Sequence, residues 1–257
     1  MKLYEATRAN LSPLFFIYQD DPNETKHFLE HFKTAKSRRA ELDHHGKVLL
    51  EFSFMDDEVL IENFCQSFKE KYVLIADGHH RYEASRIFHK KNIDKTIDSS
   101  AVMAYIVPAS SPGLIIHATH RAVHGLADFD ETEFLKSLKD RFTFDAPQNG
   151  SHQIEVVTPN EQTLVHLRKQ HNSLDSPDLT VVILEEIVLR EILGLSQSQT
   201  SSNGNLIYFQ NADSAFESVN SGEWNAAFLL DPVSLDDIFS VTKAGGILPQ
   251  KSTYFYP

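Results

Sequence analysis

Asp77-Gly78-His79-His80-Arg81 places a carboxylate, two imidazoles and a guanidinium on consecutive positions around one glycine. A carboxylate there can orient a divalent cation or accept a hydroxyl proton, and imidazole and guanidinium together suit an anion such as phosphate. A second cluster, His117-Ala118-Thr119-His120-Arg121, again ends an apolar run in imidazole and guanidinium. A third pair, Lys251-Ser252, precedes the aromatic run Tyr254-Phe255-Tyr256. Chain ends are ordinarily polar and mobile, so aromatic density here implies docking, with Lys251 and Ser252 either in a structural anchor or at the anion site.

The elements that must position these groups can be read from local pattern. Lys71 to Ala76 is a short apolar run with β-branched residues, and after Gly78 the residues Ala84, Ile87 and Phe88 recur at helical spacing. This predicts strand, tight turn and helix, with Gly78 free to take positive φ and unpaired N–H groups in the first helical turn beside His79, His80 and Arg81. The runs Ala101 to Val107 and Leu114 to Ile116 predict two further strands, separated by Pro108 and a Ser110-Ser111-Pro112-Gly113 turn. If the strand ends lie together, His120-Arg121 and the Asp77 loop converge on one pocket. The competing reading of His117, His120 and His124 as a zinc site lacks Cys or an acidic helper at ligand spacing.

Before the loop, Leu14 to Tyr18 predicts a buried strand and Asp21-Pro22 a helix start. His44-His45-Gly46 predicts a hairpin turn, and Asp56-Asp57-Glu58 opens a helix with Val59, Ile61, Phe64 and Phe68 as its buried stripe. Cys65 falls in that run and reads as a core thiol. After Asp128 come a helix bearing Phe134, Leu135 and Leu138, strands at 153–157 and 163–168, and a helix from Ser176-Pro177-Asp178. That helix carries Val181, Leu184, Ile187 and Val188, with Glu185-Glu186 on its solvated face. Leu206 to Phe209, Ala215 to Asn220, Ala226 to Leu230 and Leu235 to Phe239 repeat the alternation of strand and helix. The fold class is therefore α/β (α+β), with domains at 1–127 and 128–257.

The 257 residues are 41% apolar, enough for a real core, and the formal net charge is −12. That charge argues against a surface built on DNA or RNA phosphates, while leaving room for a local nucleotide pocket. One cysteine permits no intramolecular disulfide, no run approaches the ~20 apolar residues of a membrane helix, and cytoplasm is the default compartment.

Ile75-Ala76-Asp77-Gly78-His79-His80-Arg81-Tyr82-Glu83 resembles the signature of the bacterial domain of unknown function 1015 family. Thr119-His120-Arg121 resembles that family's Thr-His-Arg motif, and Leu248 to Pro257 resembles its Pro-Lys-Ser-Thr-Tyr-Phe-Tyr-Pro ending. Glu5 to Pro13 resembles an internal piece of the family, which implies that its amino-terminal third is missing here. The Asp-Gly-His-His-Arg loop is similar to one shared by ParB proteins, sulfiredoxin and free serine kinases, so the resemblance implies a ParB/sulfiredoxin-like mixed sheet core and a phosphate-handling loop.

The activity implied is phosphoryl transfer to or from a small hydroxyl metabolite such as serine, with ATP or ADP and Mg²⁺ as cofactors. Asp77, His80 and His120 are then the expected catalytic groups, Asp77 also holding the metal. Gly78, His79, Arg81, Arg121, Lys251 and Ser252 are the expected phosphate ligands. Those kinases take a base from an earlier acidic residue, and no clear equivalent stands in this sequence. A non-catalytic nucleotide sensor or ParB-like regulator using the same pocket is the alternative expectation.

Overall fold

The computed structural model describes residues 2–32, 36–43, 47–93, 99–144, 153–168, 179–196, 198–200 and 204–256. It is a mixed α/β protein whose chain divides into two compact units, Met1–Leu114 and Ile115–Pro257.

The first unit contains α1 (Lys2–Thr7), β1 (Leu14–Tyr18), α2 (Pro22–Phe32), the strands β2 (Lys36–Asp43) and β3 (Lys47–Phe54), α3 (Glu58–Ser67), β4 (Val73–Asp77), α4 (His79–Asn92) and β5 (Ala104–Pro108). A three-stranded sheet in the order β4-β1-β5 is its centre, β1 running antiparallel to β4 and parallel to β5. Leu14, Ile17, Leu74 and Val107 fill the core of this sheet. β2 and β3 form the expected antiparallel pair, and the His44-His45-Gly46 turn lies outside the described residues.

Two readings of α3 are corrected. Its stripe is narrower than its period predicts: Phe64 lies 4.8 Å from Phe68 with the rings tilted, and Phe68 reaches Tyr18 of β1 at 4.7 Å, while Val59 and Ile61 remain exposed. Cys65 is exposed rather than a core thiol. Helical periodicity reveals an apolar face but not how much of it a small sheet can cover.

The second unit contains β6 (Ile115–His117), β7 (His120–Val123), α5 (Glu131–Arg141), β8 (Phe142–Phe144), β9 (Gln153–Val157), β10 (Gln162–Leu167), α6 (Thr180–Ile183), β11 (Leu206–Phe209), α7 (Ala212–Asn220), β12 (Ala226–Leu229), α8 (Leu235–Lys243) and β13 (Tyr254–Tyr256). Its six-stranded sheet has the order β11-β7-β12-β9-β10-β8. Ala122 and Ala227 leave room for Ala215 and Val219 of α7 to close over the sheet, with Trp224 and Phe209 packed against the cluster. Asp130 caps α5 through the amide of Glu133, and the predicted face of that helix, Phe134, Leu135 and Leu138, is buried.

The expectations for His120-Arg121, for the helix from Ser176 and for Glu185 change here. His120 and Arg121 do not end the strand formed by Leu114 to Ile116; they open a separate, fully buried strand between β11 and β12. The helix expected from Ser176 begins, within the described residues, at Thr180 and passes into a π-helical stretch, Leu184–Ile192. There Glu185 is buried, not on a solvated face. The aromatic tail is a strand, β13 pairing antiparallel with β6 so that Tyr254 meets His117.

Candidate functional site

The Asp77 loop follows from β4 and α4. The antiparallel register sets Phe15 opposite Asp77, which brings Ser12 and Pro13, just ahead of β1, alongside the loop. Gly78 is the N-cap of α4 with φ 96° and ψ 21°, a left-handed conformation that an L side chain adopts with strain. A Cβ there would lie 2.7 Å from Cδ2 of Leu14 and 3.1 Å from Nη2 of Arg81, so both the turn and the packing require glycine.

Asp57, Asp130, Asn211 and Ser234 cap α3, α5, α7 and α8 with their side chains. At α4 there is no side-chain cap and no acidic residue in the first turn. The amides at that end retain their capacity for an anion, and the helix dipole favours one.

Arg81 turns back across the loop. Its Nη2 donates to Oδ2 of Asp77 at 2.6 Å, and its Nη1 donates to Oγ of Ser12 at 2.7 Å and to the carbonyl of Pro13. The guanidinium thereby ties the segment before β1 to the strand end. The carboxylate of Asp77 is 73% exposed and Arg81 34%, so the pair is a solvated one that positions more than it stabilises. His79 and His80 are exposed beside it.

The other expected residues belong to the second unit. Neighbouring residues of a strand face opposite ways, so His120 and Arg121 do not present to one ligand. Nδ1 of His120 accepts from the amide of Leu230 at 3.2 Å, which assigns the neutral Nε2–H tautomer. Burial, and next the Arg121 charge, push its pKa below the usual histidine value, against the opposing pull of Asp231 and Glu155.

On the other face, Arg121 is 1% exposed, the largest fully buried side chain among the described residues. Tyr208 stands directly opposite it in the β11–β7 register, with the guanidinium 5.4 Å from the ring centroid. Nη1 donates to the Thr119 carbonyl at 3.0 Å, while Nη2 has no hydrogen-bond partner among the described residues. Burial lowers the Arg121 pKa, and Tyr208 and Glu185 oppose that shift. Tyr208 itself is pushed up by burial, against the effect of Arg121.

Lys251 arrives from the tail with φ 56° and places Nζ 5.9 Å from the same Tyr208 ring. Ser252 is buried and donates to the carbonyl of Pro249 at 2.6 Å, closing the turn that presents Lys251. The structure thus joins Arg121 and Lys251 through Tyr208, a residue the sequence reading omitted. Its signal was strand pairing, which no linear motif carries. A cavity of about 460 Å³ is lined here by Tyr208, Thr200, Glu185, Arg190, Leu248 and Gln250.

The proposed histidine trio is dispersed. His117 packs on Tyr254 and Tyr256, His124 lies 4.6 Å from Trp224, and His120 is engaged as above. No group of three or more His, Cys, Asp or Glu that could hold a metal occurs among the described residues. Among them also, no helix is long and apolar enough to cross a membrane.

Residues 1–187 match the family described as protein of unknown function DUF1015, and the chain belongs to that family. No curated protein matches the chain. Among solved structures, it is similar to a conserved hypothetical protein from Pyrococcus furiosus, at 16% identity and TM-score 0.43 over 72% of this chain and 71% of that one. It is also similar to a free serine kinase in complex with AMP, at 14% identity and TM-score 0.44 over 94% of this chain and 83% of that one. A mutant of a free serine kinase in complex with ADP gives 15% identity and TM-score 0.44 with the same coverage.

Proposed function

We propose that the loop from Asp77 to Arg81 binds the phosphates of a nucleotide, ATP or ADP, and that the protein transfers phosphate to or from a small hydroxyl metabolite such as serine. The observation that carries this reading is the N-terminus of α4, where a left-handed glycine replaces the side-chain cap found on α3, α5, α7 and α8. A phosphate accepted by those amides serves as the cap, with His79 and His80 beside it and Arg81 closing from Asp77. Gly78 fits the role because a methyl group there meets Leu14 and Arg81. Mg²⁺ fits only as an ion carried largely by the phosphates, with Asp77 as its single protein carboxylate at this loop. Phosphoryl transfer asks a protein chiefly for such positioning and charge stabilisation.

One observation favours the alternative, a nucleotide-dependent sensor or ParB-like regulator without turnover. Oδ2 of Asp77 is already engaged by Nη2 of Arg81 at 2.6 Å, so this oxygen is occupied and is not offered to a substrate hydroxyl.

Calorimetric titration of the full chain with ADP and Mg²⁺ tests the site. The His79→Ala/His80→Ala double variant, in two exposed residues, and Gly78→Ala are each expected to weaken binding by about tenfold or more. Unchanged affinity in both removes the reading. Phosphoserine formed from ATP and serine supports the enzyme, and binding without product supports the sensor.

A further inference from the structure

Arg121 poses a separate physical problem in the second unit. A buried guanidinium without a close counter-ion is costly, and a donor left unmade adds to that cost. Glu185 acts on Arg121 through its charge, yet its carboxylate is turned to Arg190 at 3.5 Å, and Glu186 meets the same arginine at 2.9 Å. Around Tyr208, Arg121 and Lys251 face the ring, while in the cavity wall Arg190 is paired with both Glu185 and Glu186, so those carboxylates are answered and, among the described residues, the charges of Arg121 and Lys251 are not.

The wall of the cavity on the Glu185 side is π-helical, its geometry marked by the amide of Leu193 donating five residues back to Val188. π-Helical turns are rare and concentrate at functional sites. Two motifs far apart in the chain, Thr119-His120-Arg121 and Lys251-Ser252, meet at one tyrosine here, and Lys251 is held in a strained left-handed conformation to do so.

We propose that the cavity beside Tyr208 is an oxyanion site of the second unit, taking the phosphate or carboxylate of a small molecule on Nη2 of Arg121, with Lys251 supplying the outer positive charge. The bound oxygen completes the hydrogen bonding of Arg121 and neutralises its charge where solvent does not reach. Nη2 is covered in this structure, so the Tyr208 ring must shift as the anion enters, and Lys251, stacked on that ring, shifts with it. The site is made wholly of residues from the second unit and does not depend on the nucleotide reading of the Asp77 loop.

The test uses the full chain in chloride buffer of low ionic strength, titrated with inorganic phosphate and separately with acetate, followed by calorimetry and thermal melting. It is run on the His79→Ala/His80→Ala background so that the loop is already impaired. Lys251→Ala, in an exposed residue, is expected to weaken anion binding by about tenfold. Arg121→Met is expected to abolish it, and to melt no lower than the parent in anion-free buffer, because the apolar replacement removes an uncompensated buried charge. Saturation by phosphate alone assigns a phosphate ligand, by acetate alone a carboxylate, and by both a general oxyanion site. Failure of both anions to bind overturns the proposal, as does unchanged affinity in Lys251→Ala. Should Arg121→Met melt well below its parent, with anions leaving the parent's melting unmoved, Arg121 is a structural residue only. Loss of ADP binding in the loop variant with retention of this site, or the reverse, tells the two readings apart.

Discussion

The Asp77 loop and the Arg121 strand carry the same chemical groups in opposite settings. In the loop, histidines and a guanidinium lie at the surface on a helix end, and the Asp77–Arg81 pair is mostly solvated. In the strand, a histidine and a guanidinium are enclosed by a six-stranded sheet. Charge at the surface costs little and is modestly rewarded, whereas enclosed charge must be answered by partners. Removing a charged group should accordingly leave stability nearly unchanged in the first setting, whereas in the second it should shift stability in a direction set by whether the charge was answered.

The largest contrast lies in packing. Phe228→Ala removes a fully buried ring from β12 and is expected to cost about 3–5 kcal/mol in urea denaturation. Val59→Ala, on the uncovered side of α3, should stay within about 0.5 kcal/mol. Equal losses would mean that the exposed face of α3 is covered in solution.

Gly78→Ala comes next, since it combines positive φ with a close approach to Leu14. A cost of about 1–3 kcal/mol is expected, together with the loss of nucleotide binding. A variant that keeps full stability would show that the loop can abandon the left-handed turn.

These two cases also show how far the sequence speaks. The strand, glycine and helix around Asp77 were legible because every signal for them is local: an apolar run, a turn residue and helical spacing. The faces of α5 were legible for the same reason. The role of Arg121 was not, because it depends on β11 lying beside β7 and on adjacent strand residues facing apart, and pairing between residues so distant leaves no mark in either segment. Cys65 and Val59 failed differently. Their spacing is that of a buried stripe, but a three-stranded sheet offers too little area to cover it. Glu185 looked like half of a solvated acidic pair, yet it lies buried in the π-helical stretch, a helix geometry that shifts which positions share a face.

His120 sharpens the comparison through pH. Its pKa in the folded protein is depressed, so between that value and the unfolded histidine value of about 6.5 the unfolded chain binds more protons than the native one. The stabilising contribution is therefore complete above about pH 6.5 and declines as pH falls through the folded pKa. Denaturation midpoints of the parent and His120→Gln, measured from pH 7.5 to 5, should converge on the acid side. Parallel curves would mean that His120 titrates normally.

The smallest effects come from a device that both units share. Asp20 accepts from the amide and hydroxyl of Ser110, at 3.0 and 2.6 Å, and from Thr25 at 2.9 Å. Glu131 accepts from Thr158 at 2.5 Å and from the amide and side chain of Asn160, at 3.0 and 2.6 Å. Burial alone would raise both pKa values, but these hydrogen bonds outweigh it and hold both below the ordinary carboxylate range. With folded pKa values depressed, each contributes above the unfolded carboxylate pKa and loses that contribution as pH falls through the folded one. Asp20→Asn and Glu131→Gln keep the shape of the side chain while removing charge, and because both groups are partly solvated each should cost only about 1 kcal/mol at pH 7. The cost should shrink toward zero as the parent itself is protonated in acid. If Glu131→Gln alone retains a penalty at low pH, its amide must be breaking the bond to Asn160 rather than merely weakening it, because a carboxyl group can rotate to offer either oxygen and a primary amide presents only one.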